Sequence, residues 1–215
     1  MGQEPPARPT FGSPPPRDDL KRLDPAIHLV SAGAELWRIH FRSGDHPTLW
    51  NEYRFFGPIE RNRFDHQIEP VQAQDRGIMY VATSIPVCLA EVFQRERNID
   101  RRRNAPWLAA FRTIRTLTLV DLTGIWPTRA GASQEINSGD RRQAREWSRA
   151  IYEAYPAVAG LWYRSKMHGG NAALALYERA DVALPPTPSY HAALRSISSF
   201  DGLRNIAVQI GYDLS

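Results

Sequence analysis

Short runs of strict alternation interleave irregularly with runs of helical periodicity along this chain, and that pattern excludes a regular succession of strand–helix–strand units. The clearest alternation covers residues 36–41, where Trp37, Ile39 and Phe41 share one face and Leu36, Arg38 and His40 the other. Residues 78–82 read as a short buried strand. Ser84 then serves as a helix N-cap, with Pro86 in the first turn of a helix running to about residue 97. On that helix Leu89, Val92 and Phe93 form the apolar stripe, and Glu91 lies beside it on the arc shared with Cys88 and Arg95. Residues 117–122, 158–163 and 172–178 read as strands, the last two joined around residues 165–170. Residues 141–155 read as a helix with Ala144, Trp147 and Ile151 inward, and residues 204–215, with Ile206, Val208 and Ile210, as a final strand. No internal repeat is visible. The expected class is α+β: a single domain with mixed β-sheets and flanking helices.

The 215 residues suffice for a real core without disulfide staples, and the single cysteine, Cys88, excludes a disulfide framework or a multi-cysteine zinc site. No run of 18 apolar residues suggests a transmembrane helix, and the N-terminus lacks a secretory pattern, so a cytoplasmic protein is expected. Seven of the 17 prolines fall in residues 1–25, which predicts a flexible proline-rich arm ahead of a domain spanning 26–215. Residues 43–76 form a long polar and aromatic stretch without clear periodicity, and loops of that length tend to be functional.

Arginine supplies 25 of the 27 basic side chains, Lys21 and Lys166 being the two lysines, and the net charge is +4. Guanidinium forks suit phosphate and carboxylate, so nucleic acid, a phosphorylated small molecule and simple compositional bias all fit. Phosphate-loop, dinucleotide-fold, zinc-protease and nucleophile-elbow motifs are absent. His40 and His46 are poorly spaced as metal ligands, and Cys88 reads as an inert core thiol, so no metal is expected. What remains is an ordered set of arginines, a tyrosine, a glutamate and a serine. Each has a plain structural reading: Glu91 pairing with Arg95, Arg38 facing solvent or Glu52, Tyr80 as a core aromatic, Ser165 as a turn residue.

In this order the residues resemble the RES domain, named for its arginine, glutamate and serine. Leu36-Trp37-Arg38-Ile39 is similar to the family's first arginine strand, and Arg61-Asn62-Arg63-Phe64-Asp65 to its second arginine motif. Ile78-Met79-Tyr80-Val81-Ala82 followed by Leu89-Ala90-Glu91-Val92 resembles its tyrosine strand and glutamate helix, and residues 160–171, with Ser165 and Asn171, its serine segment. The eleven-residue step from Tyr80 to Glu91 and the order of the motifs carry the likeness, which runs over residues 35–179. Asp65 stands where asparagine is common and the loop before it is long, so Arg54 and Arg61 stand beside Arg63 as candidates for the second arginine.

The resemblance implies a fold similar to ADP-ribosyltransferases and a toxin that cleaves the nicotinamide–ribose bond of NAD, as glycohydrolase or phosphorylase. NAD would be substrate, with no separate cofactor. It further implies Glu91, Arg63 and Tyr80 as catalytic residues, and Arg38, Arg63, Tyr80, Ser165 and Asn171 as substrate-binding ones. The implied partner is an Xre-type helix-turn-helix antitoxin, with nucleic acid met only through it, no membrane, and homo-oligomerisation open. The alternatives are an ADP-ribosyltransferase acting on a macromolecule, or a nucleic-acid-binding module using Arg95, Arg97, Arg101, Arg102, Arg103, Arg141 and Arg142.

Overall fold

The computed structural model describes residues 11–197 and 200–215. Among the described residues eleven strands and five α-helices follow in order. They are α1 (Arg17–Lys21), β1 (Ile27–Val30), β2 (Glu35–Phe41), β3 (Arg54–Gly57), β4 (Gln72–Ala82), α2 (Ile85–Val92), β5 (Asn98–Ile99), β6 (Pro106–Arg112), β7 (Leu117–Asp121), α3 (Trp126–Arg129), α4 (Arg141–Ala154), β8 (Gly160–Arg164), β9 (Ala172–Tyr177), β10 (Tyr190–Ala193), α5 (Phe200–Ile210) and β11 (Asp213–Leu214). Nine strands form one mixed sheet in the order β1-β7-β8-β9-β4-β2-β6-β10, with β3 on β4, and β5 and β11 form a small parallel pair. Only β7 and β8 run parallel in the large sheet, and the segment joining them carries α3 and α4, as a parallel crossover requires. The α+β class expected from the irregular interleaving is the one observed.

Strand alternation divides the apolar side chains into two cores. Ile39, Ile78 and Ala82 join α2's Val87, Cys88 and Leu89 and α4's Ala144, Trp147 and Ile151 in the first. Leu36, Met79 and Val81, one position out of step, join Trp50, Tyr53, Phe111, Leu174 and Leu176 in the second. Helix α4 begins at Asp140, whose side chain accepts from the N–H of Gln143 at 2.9 Å, and its buried residues recur at helical spacing.

Several sequence expectations change. The proline-rich arm is not loose throughout: residues 1–10 lie outside the described residues, but from Phe11 the chain is packed. Phe11 and Leu20 are buried in the first core, Trp147 Nε1 donates to the Gly12 carbonyl at 2.8 Å, and the Tyr155 hydroxyl donates to the Leu20 carbonyl at 2.6 Å. Two apolar anchors and two capped carbonyls outweigh the proline composition. The long stretch 43–76 contains β3 and the start of β4. Helix α2 stops at Val92, where the chain turns through Phe93 to enter β5. Of the strand expected over 204–215, the part up to Ile210 is instead the end of α5, because Leu203, Ala207 and Ile210 also fit helical spacing and Val208 is left exposed, and Asp213–Leu214 alone pair as a strand, β11. Gly211, at φ +70°, ends that helix: the N–H of Tyr212 donates to the Ala207 carbonyl and that of Gly211 to the Val208 carbonyl, a paired C-terminal cap.

At Gly160 (φ +155°) strand β8 passes β9 so closely that an added Cβ would collide with the Ala175 carbonyl and sit 2.9 Å from the Leu176 Cα. Gly160→Ala is expected to cost about 1–3 kcal/mol, read as a lower urea midpoint at unchanged slope.

Candidate functional site

Tyr80 points from β4 toward the first core, on the same side as α2. Its hydroxyl is fixed twice, donating to Asp65 Oδ1 at 2.9 Å and accepting from the N–H of Phe64 at 3.0 Å. The carboxylate of Asp65 is fully buried. Its Oδ2 takes Arg54 Nη2 at 2.6 Å and the N–H of Ile59 at 2.7 Å. The sequence left three arginines as candidates for the second motif, and these contacts separate them. Arg54 is committed to Asp65, Arg61 is exposed, and Arg63 turns inward. Its Nη1 donates to the Gly139 carbonyl at 2.7 Å and its Nη2 to that of Ser138 at 3.3 Å.

Glu91 lies in the last turn of α2 and is half-buried. Burial raises its carboxyl pKa above the ordinary 4.5, and four groups oppose that rise: the hydroxyl of Ser165 and the charges of Arg63, Lys166 and Arg141. Ser165, just beyond the end of β8, is buried, and its Oγ also accepts from the N–H of Met167 at 3.2 Å. The same groups act on one another. Burial lowers the pKa of Arg63, with Arg141 adding repulsion and Glu91, Tyr163 and Tyr80 opposing it. Burial likewise lowers that of Lys166, which also feels Arg63 and Arg141. Glu91, Arg63, Ser165 and Tyr80 therefore share one electrostatic neighbourhood. Among the described residues no ion pair within 4 Å joins Glu91 to Arg95.

Two expected residues do not join them. Arg38, 7% exposed, projects from β2 toward the second core, where its Nη1 donates to the Trp50 carbonyl at 2.7 Å and contacts the Met79 sulfur at 2.9 Å. Desolvation brings its pKa down to about 10. Period-two alternation is the reason: Ile39 faces α2, so Arg38 faces away. The common neighbour of Arg38 and Glu91 is Cys88, buried between their fields with its thiol pushed up to about 12, mainly by desolvation. Asn171 is exposed. Its side chain donates to the His168 carbonyl at 3.0 Å and lies 2.8 Å from His168 Nδ1, while its carbonyl accepts from the N–H of Ser165 at 2.8 Å. It closes the turn that presents Ser165.

Two cations were not singled out as site residues. Arg141 was grouped with a surface patch, yet it precedes buried Ala144 by three and buried Ser148 by seven positions, on the inward arc of α4. Lys166 was legible as one of only two lysines in the chain, next to Ser165.

The arrangement is a half-buried carboxylate on which one hydroxyl and three cationic side chains act. It can bind an anionic ligand and set a carboxylate against a centre that develops positive charge. No described helix is long and apolar enough to cross a membrane.

Among curated proteins, none matches the chain. A chain of the solved crystal structure of the M. tuberculosis MbcT–MbcA toxin–antitoxin complex superposes with TM-score 0.51 at 14% identity, over 82% of this chain and 88% of that one, so the α+β fold is shared. The family model of the RES domain matches residues 35–195, three-quarters of the length, beginning one residue before the Leu36-Trp37-Arg38 strand and enclosing Arg63, Tyr80, Glu91 and Ser165. The chain belongs to the RES domain family.

Proposed function

We propose that this protein is the toxin of a toxin–antitoxin pair and cleaves the bond between ribose C1′ and nicotinamide in NAD. The observation that carries the reading is half-buried Glu91, at the end of α2, whose carboxyl is acted on by the buried Ser165 hydroxyl and by the charges of Arg63, Arg141 and Lys166. When the C1′–N bond breaks, its electron pair stays on nicotinamide and neutralises the ring nitrogen. Positive charge then develops at C1′ and the ring oxygen, as in glycoside cleavage. A carboxylate at that position stabilises the developing charge and orients the incoming oxygen nucleophile, water or phosphate. The cations around it offset the negative charge of the pyrophosphate. Ser165 fits a role in placing the nicotinamide ribose, and Tyr80, locked by Asp65, one in lining the ring or ribose.

An antitoxin partner is supported by the solved toxin–antitoxin complex with which the fold is shared, and the family resemblance favours an Xre-type helix-turn-helix protein. The test is incubation of purified protein with NAD, with and without inorganic phosphate, followed by product identification. Nicotinamide with ADP-ribose indicates hydrolysis, nicotinamide with phosphorylated ADP-ribose indicates phosphorolysis, and undiminished NAD overturns the proposal.

A pH dependence follows from the same carboxyl. Burial favours its protonated form, so the active carboxylate appears only as pH rises through a pKa above 4.5. The acidic limb of kcat/KM is expected above that value, and Lys166→Ala, which removes a charge favouring the carboxylate, is expected to move it to still higher pH. A limb unmoved by Lys166→Ala would separate the two groups.

A further inference from the structure

We propose that Arg141 is the second phosphate-binding guanidinium of this site, the role that Arg38 does not fill, and that Gln94 is the positioning residue that holds it. The proposal rests on the NAD reading and deepens it by naming what grips the pyrophosphate.

The geometry is a short relay. Gln94 lies three residues beyond Glu91, and its Nε2 donates to the Glu91 carbonyl at 2.7 Å. Its Oε1 accepts from Arg141 Nη2 at 3.1 Å. The amide thus ties the first turn of α4 to the last turn of α2, with Glu91 at one end and Arg141 at the other. Arg63 is bound to the segment just before that turn, through the carbonyls of Ser138 and Gly139. Arg63 and Arg141 therefore flank Asp140, whose carboxylate accepts from the N–H of Gln143 as the helix cap. Among the described residues, neither arginine nor Lys166 forms an ion pair within 4 Å. Three cations thus act on Glu91, and with the solvent-exposed Asp140 cap beside them the neighbourhood keeps a net positive charge suited to a pyrophosphate. The charge of Arg141 disfavours the charged form of Arg63, a repulsion that a bound anion would relieve. A neutral amide clamp fixes Arg141 without consuming that charge, whereas a carboxylate in place of Gln94 would have neutralised it.

The experiment compares wild type with Arg141→Ala, Arg141→Lys and Gln94→Leu in NAD turnover and in ADP-ribose binding by calorimetry. Arg141→Ala is expected to raise the KM for NAD and the Kd for ADP-ribose together, by about ten- to a hundredfold, the range of a charged hydrogen bond. Its effect on kcat is expected to be smaller than that on KM, because Arg141 would bind the pyrophosphate equally in ground and transition states, and its melting temperature is expected to change little, because Arg141 is half-buried. Arg141→Lys is expected to recover part of the loss and Gln94→Leu to lose less than Arg141→Ala. Equal KM and Kd in wild type and Arg141→Ala overturn the inference, as does a parallel fall in kcat and melting temperature, which marks a structural role. Wild type that binds ADP-ribose through Arg141 but spares NAD overturns the proposed function and leaves the anion site standing.

Discussion

Glu91→Gln is expected to reduce nicotinamide release from NAD by about a hundred- to ten-thousandfold, with the fold intact. The amide occupies nearly the same volume and can still meet the Ser165 hydroxyl, but it carries no charge to set against a cationic ribose. The local balance also changes, since Arg63, Arg141 and Lys166 then face a neutral group. Binding of the negatively charged product ADP-ribose should therefore be preserved or strengthened in the same variant, and calorimetry checks this beside the activity assay. Loss of turnover together with retained binding would place the glutamate's contribution in the bond-breaking step. Unchanged turnover would remove Glu91 from the mechanism.

The largest effect on stability is expected at Asp65. Its carboxylate is fully buried and answers Arg54, Tyr80 and the N–H of Ile59 at 2.6–2.9 Å, with Asn62 Nδ2 more distant at 3.4 Å. Asp65→Ala leaves a mostly buried guanidinium without its counter-charge, though still bonded to the Phe56 carbonyl, and a buried hydroxyl without its acceptor, a change that costs about 3–5 kcal/mol. That is a large share of the roughly 5–15 kcal/mol by which ordinary domains are stable. Urea unfolding followed by tryptophan fluorescence reads the loss directly. Asp65→Asn keeps one acceptor for Tyr80 and should lose less. Because Tyr80 also accepts from Phe64, the residue after Arg63, the loss should reach the site as well as the fold. A midpoint unmoved by Asp65→Ala would show that this network contributes little.

Asp65 also shows how far the sequence could be read. The motif around it was visible, and its departure from asparagine was visible too, but its burial and its choice of Arg54 over Arg63 were not. Those depend on β3, which has no clear periodicity because Phe55 and Phe56 are both exposed. Alternation in β2 already turned Arg38 away from the Trp37–Ile39–Phe41 face. The family likeness assigned that arginine to the site, and the strand's geometry placed it in the second core. Periodicity placed Glu91 and Tyr80 on their helix and strand and Ser165 beside one, but it was the ordered family likeness that singled them out as site residues. Arg141 and Gln94 were less so, since their contact joins two helices 47 positions apart and neither local pattern encodes it. Residues 204–215 misled for a different reason: Ile206, Val208 and Ile210 satisfy a period of two, and only the burial of Leu203 and Ala207 reveals the helix.

The segment from Phe11 to Lys21 acts as a strap on the back of α4. It covers the indole of Trp147 and lays its Leu20 carbonyl on Tyr155, and Arg17 Nε donates to the Glu153 carbonyl at 3.2 Å. The smallest autonomous unit therefore reaches upstream of the stretch that the family has in common. A version trimmed to begin at Glu35 would bare an aromatic ring on the helix that carries Arg141, and would trade a solvent-shielded scaffold for one prone to self-association and misaligned at its opposite end.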